Sequence, residues 1–289
     1  MMKFKIDCRF AWMLIFIFGY FFSHAQEDYA EPKLELSGYV KYLHTATFTD
    51  FNPSTLHDNL IHNRIDINWY PKSNWTLKYG MRNRIFWGDT KKDSPLFDEQ
   101  LEEAGNDYID VSFNLFQGQK YLGHTTVDRI YLEYDKDKWN IRLGRQRINW
   151  GINLIWNPND LFNAYNFVDF DYEERPGSDA LRIQYNYDYA SGFEFVVNPD
   201  RSGNLWSYAG LWRFNKWNYD FQMLIAKSDR DIAFGGGWAG NLGLWGFKGE
   251  FIIADDLDGR HTSYSITTGV DYLFENNLYL NIGYLYNSI

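Results

Sequence analysis

"NLIHNRIDINWY", Asn59 to Tyr70, decides what kind of fold this chain can adopt. Ile61, Ile65, Ile67 and Trp69 fall on one side of an extended backbone, and His62, Arg64, Asp66 and Asn68 on the other. Side chains of a β-strand alternate between its faces, so the stretch reads as a strand with one apolar and one polar face. "NWTLKYGMRNRIFW", Asn74 to Trp87, repeats the pattern: Trp75, Leu77, Tyr79, Met81 and Ile85 oppose Thr76, Lys78, Gly80, Arg82 and Arg84. Leu181, Ile183, Tyr185 and Tyr187 likewise oppose Arg182, Gln184 and Asn186, and Leu278, Leu280, Ile282, Tyr284 and Tyr286 share a face.

Extended along the chain, the same test predicts about thirteen strands. They lie at 34–47, 59–70, 74–87, 125–135, 138–148, 179–189, 192–198, 205–214, 216–227, 231–240, 242–254, 262–274 and 277–287. Short turns are expected at Pro71-Lys72-Ser73, Lys136-Asp137, Ala190-Ser191-Gly192, Asn215-Lys216, Asn241 and Glu275-Asn276-Asn277. They alternate with connections at 48–58, 88–124, 149–178, 199–204, 228–230 and 255–261, most of them longer. Rings flank the short turns: Trp69 and Trp75, Tyr134 and Trp139, Phe214 and Trp217, Phe274 and Tyr279. Short turns at one end, longer loops at the other and an aromatic girdle are the habit of a transmembrane up-and-down β-barrel. A soluble propeller would repeat a blade motif at fixed period, and none is visible.

Composition agrees. Aromatic residues make up 20% of the 289 residues, yet the mean hydropathy is negative. No segment after the amino terminus is apolar for the 18 or more residues that a membrane helix requires. The net charge of −10 argues against a nucleic-acid partner. Lys3, Lys5 and Arg9 precede the apolar run Phe10–Phe22, and Ser23-His24-Ala25 follows it. This reads as a cleaved secretory signal over residues 1–25, with the barrel domain spanning 26–289. The single cysteine, Cys8, lies inside that signal, so the mature chain has no thiol chemistry. An odd strand count conflicts with the even number of bacterial barrels, so either one strand is missed or the chain is truncated at its carboxyl terminus, the reading that the end at Tyr286-Asn287-Ser288-Ile289 favours.

One stretch departs from simple alternation. In Leu143–Phe167 a strand runs into Gly144-Arg145-Gln146, then Asn149-Trp150-Gly151, then Asn157-Pro158-Asn159-Asp160. Trp150, Ile152, Leu154, Ile155, Trp156, Leu161, Phe162, Tyr165 and Phe167 are too apolar for a loop left in water. Asn157 or Asn159 would cap a short helix over Asp160–Asn166. A folded loop of this length is usually functional, and the barrel mouth or interior is where it would narrow a channel. By parity Arg64, Arg82, Arg84, Arg129, Arg142 and Arg182 face the lumen, while the loop supplies Asp160, Asp169, Asp171, Glu173 and Glu174. A basic wall opposite an acidic loop would select which solutes pass; the alternative is that these charges only solvate the lumen and pair with each other. Parity would also turn Arg145 and Arg147 toward lipid, at a cost of about 2–4 kcal/mol each at mid-membrane. A bulge or twist near Gly144, or the end of the membrane, is therefore expected there.

The piece Gly144-Arg145-Gln146 with Asn149-Trp150-Gly151 and Asn157-Pro158-x-Asp160 resembles an uncharacterised group of Gram-negative outer-membrane porin-like proteins. More loosely, its first three residues are similar to those of alginate-export channels. The match covers Gly144 to Asp160; elsewhere only the barrel pattern is shared. The resemblance implies a barrel with a loop packed into or over the lumen, and names no substrate.

The expected function is thus passive diffusion of small polar solutes through an outer-membrane channel. Outer-membrane lipid and lipopolysaccharide surround it, with a homo-oligomer left open and no cofactor called for. The rival is a surface enzyme or a polysaccharide-binding barrel. His44, His57 and His62 gather near Ser54, and His261 lies beside Ser263, but no nucleophile motif surrounds either serine. Asp255-Asp256-x-Asp258-Gly259 lacks the distal Glu of a calcium loop, so no metal site is expected. Gly235-Gly236-Gly237 has no following Lys-Ser/Thr, and reads as relief of crowding within a strand.

Overall fold

The computed structural model describes residues 33–48, 55–94, 97, 108–162, 177–228, 231–257, 259 and 261–288. The proposed signal lies outside them, as do Tyr165, Phe167, Asp169, Asp171, Glu173 and Glu174 of the loop.

The fold is all-β: one antiparallel up-and-down sheet. Its strands are β1 (Leu34–Phe48), β2 (Thr55–Lys72), β3 (Trp75–Gly88), β4 (Ser112–Gln117), β5 (Tyr121–Lys136), β6 (Trp139–Gln146) and β7 (Ser178–Asp188). They continue as β8 (Ser191–Pro199), β9 (Trp206–Lys216), β10 (Tyr219–Ser228), β11 (Asp231–Leu242), β12 (Trp245–Asp256), β13 (Thr262–Leu273) and β14 (Tyr279–Asn287). A five-residue helix, α1 (Asp89–Asp93), follows β3. The sheet runs β1-β2-β3-β5-β6 and onward in sequence order to β14; among the described residues no pairing joins β14 back to β1.

All thirteen expected strands are present. The fourteenth, β4, lies inside the connection read as a loop over 88–124, because six residues are too few to show a period. It has a particular place. β3 pairs with β5 from Trp75↔Tyr134 to Trp87↔Tyr121, filling one edge of β5. On the other edge β6 pairs only with Ile130–Lys136, and β4 with Leu122–Thr126. β4 therefore takes the edge that β6 vacates when the chain leaves the sheet at Gln146.

The short turns fall one to three residues from their expected places, at Ser73–Asn74, Asp137–Lys138, Tyr189–Ala190, Trp217–Asn218 and Gly243–Leu244, with a longer one between Leu273 and Tyr279. Trp217 and Asn218 both take positive φ, 57° and 60°, the mirror-image turn that suits the strand twist. Aromatic rings crowd this end of the sheet. Trp75 lies 4.8 Å from Tyr134, Trp139 4.7 Å from Tyr185, and Trp245 4.5 Å from Tyr272.

The two faces differ as the alternation requires. On one, Leu36, Val40, Leu132, Leu143, Phe195, Ile225, Ile253 and Ile282 are exposed. The other carries the charged residues and is partly covered by the connection after β6.

Candidate functional site

Cross-strand register assembles the polar face. Arg64 pairs with Arg82, Arg84 lies between His62 and His124, and Arg142 pairs with Arg182. Like charges directly opposite would repel, so carboxylates must intervene. Between Arg129 and Val127 the β3–β5 register slips, and Asp128 is the extra residue. A bulge re-aims a side chain; here it brings a buried carboxylate to two guanidiniums. Asp128 accepts from Arg64 at 3.0 Å and from Arg82 at 3.0 Å, and Arg64 also holds Asp66 at 2.7 Å. Arg142 donates to Glu133 at 2.8 Å, and Arg182 to Glu194 at 2.7 Å. Arg84 reaches His124, and Arg129 donates to the Asp128 carbonyl. The six arginines thus share one face, as parity predicts. The carboxylates recorded on Arg64, Arg82, Arg142 and Arg182 come from strands rather than from the loop.

Arg145 answers the question of the strand that ends in arginine. No register shift occurs at Gly144: Leu143 pairs with Leu181, Gly144 with Ala180 and Arg145 with Asp179. The expected bulge is absent, although Gly144 does twist the chain with φ 120°. Charge is neutralised instead. The Arg145 guanidinium is only 2% exposed and makes a two-pronged contact with Asp179 at 2.9 and 2.8 Å. It also donates to the carbonyls of Val127 and Ile109. The side chain fills the split where β6 leaves β5, satisfying carbonyls that a strand would otherwise have paired. Arg147, two residues on, is exposed.

The connection then crosses the polar face. Ile148 and Trp150 are buried against Ala180, Val196, Ala209, Leu211 and Leu224, with Phe162 packed beside them. Those wall residues occupy polar-face positions of β7 to β10, so they form an apolar seat on an otherwise polar surface. The Trp150 indole donates to Glu194 at 2.8 Å, and its carbonyl accepts from Gln222 at 2.6 Å. Farther on, one buried carboxylate of β12, Glu250, accepts the backbone N–H groups of Ile152 (2.6 Å), Asn153 (2.7 Å) and Asn159 (3.2 Å). The Asn159 amide donates to the Gly236 carbonyl at 2.9 Å.

This explains two of the three glycines. A Cβ at Gly237 would lie 2.7 Å from the Ile152 side chain, and one at Gly235 2.7 Å from that of Asn159. The strand gives up side chains so that the loop can lie against it.

Other expectations fare differently. Trp156 is 42% exposed and Leu154 60%, so neither is buried in the seat. Asn149 is exposed, and Gly151 lies close under Asn157. Pro158 and Asn159 sit in a turn closed by the Asp160 N–H on the Asn157 carbonyl, and Asp160–Phe162 is not helical. Asp160 is buried at that turn. The anchors missed from sequence are Glu194, Gln222 and Glu250. Each is an isolated polar residue in a strand, and only the three-dimensional register brings it under the loop.

A sheet of this topology, apolar on one face and charged on the other, is a porin-like fold. No protein-family model matches the chain, and no curated protein sequence does. Among solved structures it is similar to Salmonella typhi OmpF, solved in complex with daunomycin, with a TM-score of 0.51, 10% identity, and 88% of this chain and 78% of that one covered. It is similar also to Acinetobacter baumannii OccAB3, with a TM-score of 0.51, 11% identity, and 89% and 67% covered. Both are porins of the Gram-negative outer membrane; at this identity the likeness is one of fold.

Proposed function

We propose that the chain is an outer-membrane channel through which small polar solutes diffuse passively, narrowed by the connection after β6. The carrying observation is the division of the sheet. One face exposes apolar side chains across nearly every strand, which in water would be an aggregation surface. The opposite face is lined with arginines and carboxylates and takes in the chain's own loop. The strands of the main sheet path run from 8 to 18 residues, most of them long enough for the 9–11 that a tilted crossing needs. In this reading Arg64, Arg82, Arg84, Arg129, Arg142 and Arg182 line the passage. Trp150, Asn157, Pro158 and Asp160 belong to the narrowing element, together with Glu173 and Glu174 from the part of the loop outside the described residues. Trp156 belongs to the same element and is 42% exposed. Lipid and lipopolysaccharide surround the apolar face.

Liposome swelling tests the reading. Vesicles carrying the protein should swell in small sugars and amino acids at rates that fall with solute size. Vesicles that stay unswollen while their phospholipid is hydrolysed would favour the surface enzyme instead.

A further inference from the structure

Two histidines near the first long connection, His44 and His57, take no part in the passage described above, yet they are arranged for chemistry. His44 and Asn59 are cross-strand partners on β1 and β2, and His57 lies two residues before Asn59 on the same face. The rings of His44 and His57 stack, with centroids 5.4 Å apart and planes 19° from parallel. The Nε2 of His44 lies 3.4 Å from the Nδ1 of His57.

The Asn59 amide fixes which nitrogen of His44 is free to bind. Its Nδ2 donates to the Trp87 carbonyl, and its Oδ1 accepts the Tyr42 hydroxyl at 2.6 Å. That same Oδ1 lies 2.9 Å from the Nδ1 of His44. An amide oxygen cannot donate, so His44 carries its proton on Nδ1. That leaves Nε2, 3.4 Å from His57, as the unprotonated nitrogen. A histidine whose far nitrogen is held by an oxygen acceptor is the usual arrangement of a metal ligand. The nitrogen separation suits it too: bonds of about 2.0–2.1 Å at the tetrahedral angle place two nitrogens about 3.3–3.4 Å apart.

We propose that His44 and His57 form a binding site for a divalent transition metal of the zinc or copper class, with Asn59 as the positioning residue. Among the described residues no group of three or more His, Cys, Asp or Glu side chains is placed to hold a metal. The ion therefore keeps open positions for water or an anionic oxygen. Both histidines are exposed, at the strand ends beside the longer connections. Bound there, the ion clips β1 to β2 and offers a coordination point outside the passage. The imidazole pair suits zinc, copper or nickel rather than the hard, oxygen-seeking calcium and magnesium.

The test uses the tag-free full chain in detergent, stripped with a chelator. On the unaltered protein, Cu(II) electron paramagnetic resonance should show two imidazole nitrogens in the equatorial plane. None, or one, overturns the proposal. Calorimetry with Zn(II) should give one saturable site per chain, lost in both His44→Gln and His57→Gln. Asn59→Ala should weaken binding at least about tenfold, whereas Asn59→Asp, which keeps the acceptor, should retain it. Zinc binding that is absent from the unaltered chain, or unchanged in both histidine variants, overturns it as well. Liposome swelling reports on the channel independently, so either reading can fail without the other.

Discussion

Glu250→Ala is the perturbation most revealing of how the loop is held. Its carboxylate is fully buried and accepts three backbone N–H groups, from Ile152, Asn153 and Asn159. Hydrogen bonds to a charged group contribute about 1.5–3 kcal/mol each, so the three together hold the segment by at most about 4.5–9 kcal/mol. The segment will lift rather than leave three donors unsatisfied, which limits the cost to the sheet. Trp150 has separate anchors in Glu194 and Gln222. Burying an aromatic side chain of about 150–250 Å² adds about 4–6 kcal/mol at that point. Residues 148–150 should therefore stay seated while 152–159 comes free. Limited chymotrypsin digestion should show new cleavage at Leu154 and Trp156, with the heat-modifiable gel mobility of the folded barrel kept. Glu250→Gln should be intermediate, because its oxygen serves Ile152 and Asn153 while its NH2 opposes the Asn159 N–H. Unchanged cleavage in Glu250→Ala would refute the anchoring role; loss of the folded band would mean that Glu250 holds the sheet itself.

Three further outcomes are expected. Gly237→Val should push Ile152 off β11 at a cost of about 1–3 kcal/mol, and reproduce the Glu250→Ala digestion pattern. Arg145→Ala should leave Asp179 buried without its cation, lowering stability by about 3–5 kcal/mol, read as an earlier loss of the folded band on heating. The double change Arg145→Met with Asp179→Leu should recover most of that loss. Asp128→Asn should release Arg82 from neutralisation, while Arg64 keeps Asp66, and shift the reversal potential toward anions, whereas Arg82→Gln should shift it toward cations.

Alternation made the strands legible because each has one wet and one apolar face, and a period of two survives any register. β4 was hidden by its brevity. The first residues of β5, Tyr121–His124, were hidden because Tyr121 and Leu122 are adjacent and Gly123-His124 continues no apolar rhythm. The arginine face followed from parity as well, and mutual pairing of its charges was one of the two readings, but the shared partner of Arg64 and Arg82 was not legible, because Asp128 faces that way only through a bulge. Arg145 shows the same limit from the other side. Parity correctly identified an arginine on the wrong face, and only the structure could supply Asp179, a cross-strand partner 34 residues away, as the remedy. That the loop packs against the sheet was legible from its apolar rings. Its anchors were not, because Glu250 lies 97 residues beyond Asn153 and nothing local marks it.

The central claim is that the sheet encloses a passage and that the connection after β6 narrows it. Single-channel recording in planar bilayers, comparing the full chain with a variant lacking residues 153–166, tests this most directly. Stable ohmic steps from the full chain, and larger, less ion-selective steps from the variant with its heat-modifiable mobility intact, are the result predicted. A full chain that never conducts would contradict the channel, and a deletion that leaves step size and selectivity unchanged would place the loop outside the path of the solute.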